Sequence, residues 1–496
     1  MTDYLIVGGG TAGCLLAARL SDDPGVTVTL LEWGPSDQHE PRARSIRRWA
    51  EMLEGEYDLD YRSVPQERGN SAIRQARMRI LGGCSTANTM IVWRPLAADL
   101  REWVSLGADG WDPATVLPYY DRLHIPIQPV AEEDRNPFVA DVISSAAAAL
   151  GLPVQDRWND GRLDDRAEGV GFFEVGYSPS SNVRGSTSIH YLHDVLDRPN
   201  LTVHTGVRAL RVLVEDGRAT GVETMAGTFR AGREVIVCCG AIDSPRLLQL
   251  SGIGPRAVLE AAGIPVIADL PVGENLMDHA EGLILWEAVT APPTECASGW
   301  DAGGMFSFEG DPTRPDVLMH FPVEAWAAHA ETYGVELPEH VVQIAPNVAR
   351  PASRGTVRIT SADPAVPPEI DYGYFVDPEG HDERMLLEGI RAARRIAEQE
   401  PLRSWLVREV FPGPALTSDD DLSAALRATH QTVYHVCGTC RMGAVLDGDL
   451  RVRGIDGLRV VDASVFPSIP AVNPVGTVMV VAERAADLIA MSRKRD

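Results

Sequence analysis

Residues 4–32 constrain this chain more than any other stretch. Tyr4-Leu5-Ile6-Val7 is an apolar run of strand length, and it meets Gly8-Gly9-Gly10-Thr11-Ala12-Gly13 with no spacer. Leu15, Leu16, Ala18 and Leu20 then recur at helical spacing until Asp22-Asp23-Pro24-Gly25 stops the helix. A second strand, Val26 to Leu31, ends on Glu32. The unit reads strand, turn, helix, strand, with G-x-G-x-x-G at Gly8, Gly10 and Gly13. Gly8 permits the tight turn, Gly10 lets backbone approach a pyrophosphate, and Gly13 lets the helix pack close on the strand. The pyrophosphate then meets free N–H groups at the positive end of the helix. Glu32 stands where it can accept hydrogen bonds from a ribose. A lone glycine motif says little; here every part of a dinucleotide-binding unit stands in its place.

The rest of the composition mainly excludes. A length of 496 residues exceeds one small domain. The 70 acidic side chains outnumber the 45 basic ones, for a net charge of −25, which repels nucleic acid and anionic lipid. No apolar run reaches the ~20 residues that span a membrane. No basic-then-apolar leader precedes the first strand, and the expected location is the cytoplasm. The one lysine is Lys494, so no internal lysine is available for a Schiff base, which argues strongly against pyridoxal phosphate as cofactor. Seven scattered cysteines read as reduced thiols, and Cys437-Gly438-Thr439-Cys440 lacks a thioredoxin context. No His/Cys spacing suggests zinc, and no metal site is expected.

Along the chain the character alternates. Residues 130–185 are polar and loop-rich. A strand pair is expected at Leu201 to His204 and Ala209 to Val214, followed by strands at 219–225 and 227–240. Pro245 is expected at a helix start. From 281 to 430 strands (282–289, 341–347, 355–360) alternate with helices (382–398, 419–428). After 430 the first character returns, with a strand from Leu458 to Asp462 and an apolar helix from Gly476 to Ile489.

Four motifs make the chain resemble the glucose–methanol–choline (GMC) oxidoreductases over nearly its whole length. They are the Gly8-to-Glu32 unit; Leu81-Gly82-Gly83-Cys84-Ser85 with Asn88; Gly240-Ala241 through Ser244-Pro245 to Gly254-Pro255; and His435 through Gly438-Thr439 to Met442-Gly443. Arg47-Arg48-Trp49, Tyr57-Asp58-Leu59-Asp60-Tyr61, Pro65-Gln66-Glu67, Asp278-His279-Ala280-Glu281-Gly282 and Asp377 to Asp382 resemble the choline-oxidising members. The resemblance implies an α/β fold. A Rossmann-like FAD-binding domain (1–145, 186–280 and 431–496) is interleaved with an α+β substrate-binding domain built on an antiparallel sheet (146–185 and 281–430). It implies FAD, and hydride transfer from a primary alcohol to molecular oxygen or another acceptor, in a monomer or homodimer.

Residue by residue, the resemblance puts His435 on the active-site histidine and Asn473 on its partner. It puts Glu281 on a carboxylate that faces a substrate ammonium, and Trp49, Trp300 and Tyr434 on its aromatic cage. His320, Trp326 and Val433 fall on further substrate-facing positions. Cofactor contacts are implied for Gly8, Gly10, Thr11, Ala12, Gly13, Glu32, Gly82, Gly83, Ser85, Asn88, Val207, Gly240, Asp462, Ala463, Asn473 and Pro474. One position departs. Relatives that tether FAD do so through a histidine where this chain has Ala87. Alanine cannot form the bond, so FAD is expected to be non-covalent.

Histidine suits removal of an alcohol proton because its ordinary pKa is ~6.5. Asparagine cannot take the proton, which leaves His435 as the base of the pair and Asn473 as a holder of the alcohol oxygen. Quaternary ammonium groups are held by aromatic faces at ~0.5–2 kcal/mol each, and a buried carboxylate needs a cationic partner. The leading expectation is oxidation of a choline-like amino alcohol to the aldehyde, or on to the acid, with peroxide as co-product. Alternatives are another primary alcohol (an aryl or heteroaryl carbinol, or an aminosugar) and a non-redox lyase of hydroxynitrile type, since fold does not fix function.

Overall fold

The structure is a computed structural model that describes residues 1–308, 310–327, 330–331 and 333–493; Lys494 lies outside these residues. Two sheets organise it. The first is seven-stranded, in the order Ala209–Glu215, Arg218–Thr224, Gly227–Val237, Thr2–Val7, Val28–Leu31, Leu201–His204, with Leu458–Val460 also paired to Gly227–Val237. Its centre is parallel: Thr2–Val7 lies between Gly227–Val237 and Val28–Leu31, and Leu458–Val460 pairs parallel to Val235, Ile236 and Val237. The central strands carry continuous apolar runs because both their faces are covered. Helices Thr11–Leu20 and Val475–Arg493 pack on each other against this sheet.

The second sheet is antiparallel, in the order Leu406–Phe411, Ile284–Ala288, Val341–Val348, Val317–His320, Ala302–Phe306, Gly169–Phe172. The short strand Ala280–Glu281 joins Val341–Val348 to Gln431–Thr432. Helix His381–Ala397 covers one face, burying Met385, Leu386, Ile390, Ala393 and Ile396 at i, i+3, i+4 spacing. Each sheet has its own apolar core.

Three local expectations are corrected. Leu201–His204 and Ala209–Glu215 are not partners but stand at opposite edges of the first sheet. The link between them crosses the ends of the strands, where the N–H groups of Gly206 and Val207 donate to the carbonyls of Gly34 (2.9 Å) and Glu32 (2.8 Å). Pro245 lies inside helix Gly240–Leu250, not at its start. Proline removes the N–H that would bond the Ala241 carbonyl; the Thr439 hydroxyl donates to that carbonyl instead, at 2.7 Å. Thirdly, residues 130–185 contain a 14-residue helix, Pro137–Leu150, capped by the Asn136 side chain. Its alanine-rich sequence hides its periodicity, yet Phe138, Val139, Val142 and Ile143 are buried in the second core. The expected domain limit at 145 falls within this helix.

Candidate active site

A cleft runs along the carboxyl ends of the parallel strands, where Val7 leads to Gly8, Leu31 to Glu32, Val237 to Cys238 and Val460 to Asp462. Doubly wound sheets bind ligands at this edge. Of the positions expected to hold cofactor, Gly8, Gly10, Thr11, Ala12, Glu32, Gly83, Asn88, Val207, Gly240, Asp462, Ala463, Asn473 and Pro474 line it. Gly13, Gly82 and Ser85 do not; they form the layer behind. A Cβ on Gly13 would lie 1.9 Å from the Gly8 carbonyl oxygen. The Gly82 N–H donates to the Gly9 carbonyl at 2.7 Å, and the Ser85 hydroxyl donates to the Gly82 carbonyl at 2.7 Å.

The lining fits a dinucleotide. A Cβ on Gly10 would meet nothing closer than 3.9 Å, so the chain's own packing does not require glycine there. The empty space lies at the N-terminus of helix Thr11–Leu20, where a pyrophosphate needs close backbone approach. Glu32 does more than expected: its Oε2 accepts from the Gly9 N–H (2.8 Å) and its Oε1 from the Gly34 N–H (2.6 Å). Each oxygen keeps a further lone pair for a ribose hydroxyl. Burial pushes the Glu32 carboxyl up to about 7, against the pull of those two N–H bonds. The structure adds Trp33, with the guanidinium of Arg208 4.2 Å and that of Arg79 5.1 Å from its ring centroid. Ala87 faces the cleft with a methyl group.

At the far end His435 and Asn473 meet: Asn473 Nδ2 stands 3.3 Å from His435 Nε2. The amide is oriented by Trp93, whose Nε1–H donates to Asn473 Oδ1 at 2.9 Å. Asn473 is brought here by helix Val475–Arg493, whose Gly476 lies against the Trp93 backbone, with 2.2 Å between an added Cβ and the Trp93 carbonyl oxygen. His435 follows a strained turn, since Tyr434 has φ of +65°. That turn is pinned three ways. The Tyr434 N–H donates to Thr432 Oγ1 (2.8 Å), Arg77 donates to the Tyr434 carbonyl (3.1 Å), and the His435 N–H donates to Asp278 Oδ1 (2.9 Å). Burial pushes Asp278 up to about 6. His435 itself is held well below the ordinary histidine range, first by burial and then by His279, His320 and Arg77.

Glu281 lies beyond His435, fully buried. Its Oε1 accepts from Gln431 Nε2, its cross-strand neighbour. Its Oε2 has no hydrogen-bond partner among the described residues, and the nearest imidazole nitrogen, His320 Nδ1, stands 3.8 Å away. Trp49, Trp300, Trp326, Val433 and Tyr434 line the same end. Trp49 stacks on Trp326 at 5.9 Å, and Trp300 meets the His320 ring edge-on at 5.8 Å. The structure therefore gathers every expected substrate-side residue into one chamber. Sequence reasoning missed Thr89, which lines the cleft, and His279, which stands behind His435. His279 sits in the Asp278-to-Gly282 segment, but nothing in the sequence tells which way its ring points.

Among the described residues no helix is long and apolar enough to cross a membrane, and no group of three or more His, Cys, Asp or Glu side chains is arranged to hold a metal. Models of the GMC oxidoreductase family match residues 2–281 and 351–482. Choline oxidase of Arthrobacter globiformis is 40% identical over 99% of this chain and 94% of that enzyme. The alcohol dehydrogenase [acceptor] of Pseudomonas putida is 32% identical over 99% and 96%. Among solved structures, pyridoxine 4-oxidase from Mesorbium loti superposes with a TM-score of 0.91 at 29% identity, over 99% of each chain. The chain belongs to the GMC oxidoreductases, FAD flavoproteins, and is an oxidoreductase acting on alcohols.

Proposed function

We propose that this chain oxidises a small primary alcohol carrying a positive charge, of choline type, to the aldehyde, with molecular oxygen as acceptor and hydrogen peroxide as product. His435 takes the hydroxyl proton at Nε2. Asn473 Nδ2 donates to the alcohol oxygen and steadies the alkoxide as the proton leaves. Bound FAD supplies the hydride acceptor. Gly10, Glu32, Val207, Gly240 and Asp462 hold its dinucleotide arm. With alanine at position 87, nothing tethers the cofactor covalently.

One observation carries the substrate reading: among the described residues Glu281 Oε2, buried in an aromatic chamber, has no hydrogen-bond partner, and only the His320 imidazole stands near it, at 3.8 Å. Leaving a buried polar atom unpaired costs on the order of 1–3 kcal/mol, and more for a charge. A trimethylammonium group with Trp49, Trp300 and Tyr434 around it answers that charge and adds cation–π contacts. The test compares choline with its neutral carbon isostere, 3,3-dimethylbutanol, in wild type and Glu281→Gln. Wild type is expected to favour choline. Glu281→Gln is expected to raise KM for choline ~10-fold or more, the size of one buried charged contact, and to leave the neutral alcohol nearly unchanged. Equal losses for both alcohols reject the reading. Acid precipitation of the holoenzyme is expected to leave the yellow colour in the supernatant; a yellow pellet rejects the untethered cofactor.

A second reading has its own support in the likeness to pyridoxine 4-oxidase. A heteroaryl carbinol would stack between Trp49 and Trp300. Faster anaerobic flavin bleaching by pyridoxine than by choline selects it.

A further inference from the structure

A neutral imidazole acts as a base only at the nitrogen that lacks the proton. His435 therefore serves in the proposed reaction only if its proton sits on Nδ1 and Nε2 is bare. We propose that His279 is the positioning residue that sets this tautomer, through a chain running from the Ala349 carbonyl through both imidazoles to the cleft. The inference rests on the assignment of His435 as base.

His279 is fully buried. Its Nε2 stands 3.1 Å from the carbonyl oxygen of Ala349, an atom that can only accept. The ring's proton therefore sits on Nε2, and its Nδ1 presents a lone pair. That lone pair lies 2.9 Å from His435 Nδ1, with the two rings nearly perpendicular at 87°. Two bare nitrogens at this distance would repel, so His435 brings a proton to Nδ1 and leaves Nε2 bare. The opposite end of the chain makes the same choice independently. Trp93 fixes the Asn473 amide with its oxygen toward the indole, so the NH2 group faces His435 Nε2 at 3.3 Å. A proton on Nε2 would set two donors face to face. The Ala349 carbonyl and the Trp93 indole thus select one arrangement from both sides.

His279 is also fitted to stay neutral. Burial pushes it down to about 3, with His320 and Arg350 pulling the same way, against its interactions with the backbone carbonyls of Ala349 and Pro470. When His435 takes the alcohol proton at Nε2, its Nδ1–H still faces an uncharged acceptor, and the positive charge stays beside the alkoxide. The titratable and charged groups around His435 are His279, His320 and Arg77, with Asp278 on its backbone N–H.

The test reads tautomer and rate separately. In holoenzyme carrying 15N-imidazole histidine, NMR between pH 6 and 8 is expected to show His435 protonated at Nδ1 and bare at Nε2. The His435 signals are identified by their loss in His435→Ala. In His279→Leu, which removes the acceptor, a mixture of tautomers is expected. The limiting rate of anaerobic flavin reduction is then expected to fall ~10- to 10³-fold, and its acid limb to move to lower pH because the imidazolium loses its acceptor. His279→Asn restores an oxygen near the place of Nδ1 and is expected to recover the rate to within ~5-fold. Three results overturn the proposal: wild-type His435 protonated at Nε2, His279→Leu with unchanged rate and pH profile, or Leu and Asn variants equally impaired with FAD intact. If His279→Leu fails to fold, the wild-type spectrum and the Asn variant still decide. A His435→Ala enzyme with near-normal turnover rejects the catalytic reading and leaves the tautomer assignment standing.

Discussion

His435 works at the end of a short, fully specified neighbourhood. Asp278 holds its backbone, His279 touches one ring nitrogen and Asn473 the other. Three residues of one short extended segment, Asp278, His279 and Glu281, thus meet the His435 backbone, the His435 ring and the aromatic chamber. His435→Ala is expected to lower turnover ~10²- to 10⁴-fold, the range for loss of a general base, while FAD content stays unchanged; stopped-flow reduction and absorbance check both. The pH dependence follows from the direction of its shift. The pKa of His435 is lowered, so the neutral base persists below the ordinary histidine range. Activity is therefore expected to be flat through neutral pH and to be lost only as pH falls through the depressed pKa, on the acid side of ~6.5. A profile of kcat/KM from pH 5 to 9 measures this. The resemblance to the GMC oxidoreductases singled out His435, Asn473 and Glu281 as site residues. It did not yield the ring orientation of His279, because a hydrogen bond between two imidazoles depends on where distant backbone brings them.

At the level of elements, the glycine turn separates packing from binding. Gly13 is required by the fold itself, since an added Cβ lies 1.9 Å from the Gly8 carbonyl oxygen. Gly10 has room for a methyl group, with nothing closer than 3.9 Å to the added Cβ. Gly10→Ala is therefore expected to fold with a melting temperature close to wild type in the apo form, yet to bind FAD at least ~10-fold more weakly, about 1.4 kcal/mol. Gly13→Ala is expected to be destabilised by several kcal/mol, seen as insoluble or early-melting protein. Thermal melts with and without added FAD distinguish the two. The spacing of Gly8, Gly10, Gly13 and Glu32 made this element legible, because a strand–turn–helix that binds a dinucleotide needs those residues at those offsets. Helix Gly240–Leu250 was less legible. Its proline is accommodated by Thr439, almost two hundred residues away, and no local signal announces such a partner.

For the whole molecule, the first sheet takes strands from residues 2–7, 28–31, 201–237 and 458–460, while the second takes its main strands from residues 169–172 and 284–411. We propose that these are two interleaved domains, with the second beginning before helix Pro137–Leu150. A chain ending at residue 280 is expected not to bind FAD, because it lacks Leu458–Val460, Asp462 and helix Val475–Arg493. Stoichiometric FAD on that fragment, measured after gel filtration, refutes the division.

What the sequence determined by itself is the dinucleotide turn, which depends on residue type at short spacing, where backbone geometry imposes the pattern. The alanine at position 87 and the segments that carry His435, Asn473 and Glu281 were legible through the resemblance to the GMC oxidoreductases. Tertiary structure decided the rest. It sent Leu201–His204 and Ala209–Glu215 to opposite edges, because a crossing there lets Val207 bond at the end of Val28–Leu31. It left Glu281 Oε2 without a hydrogen-bond partner among the described residues and turned His279 toward His435. Those outcomes depend on which backbone carbonyls and side chains from remote segments meet in the buried chamber, where every polar atom must find a partner or await one.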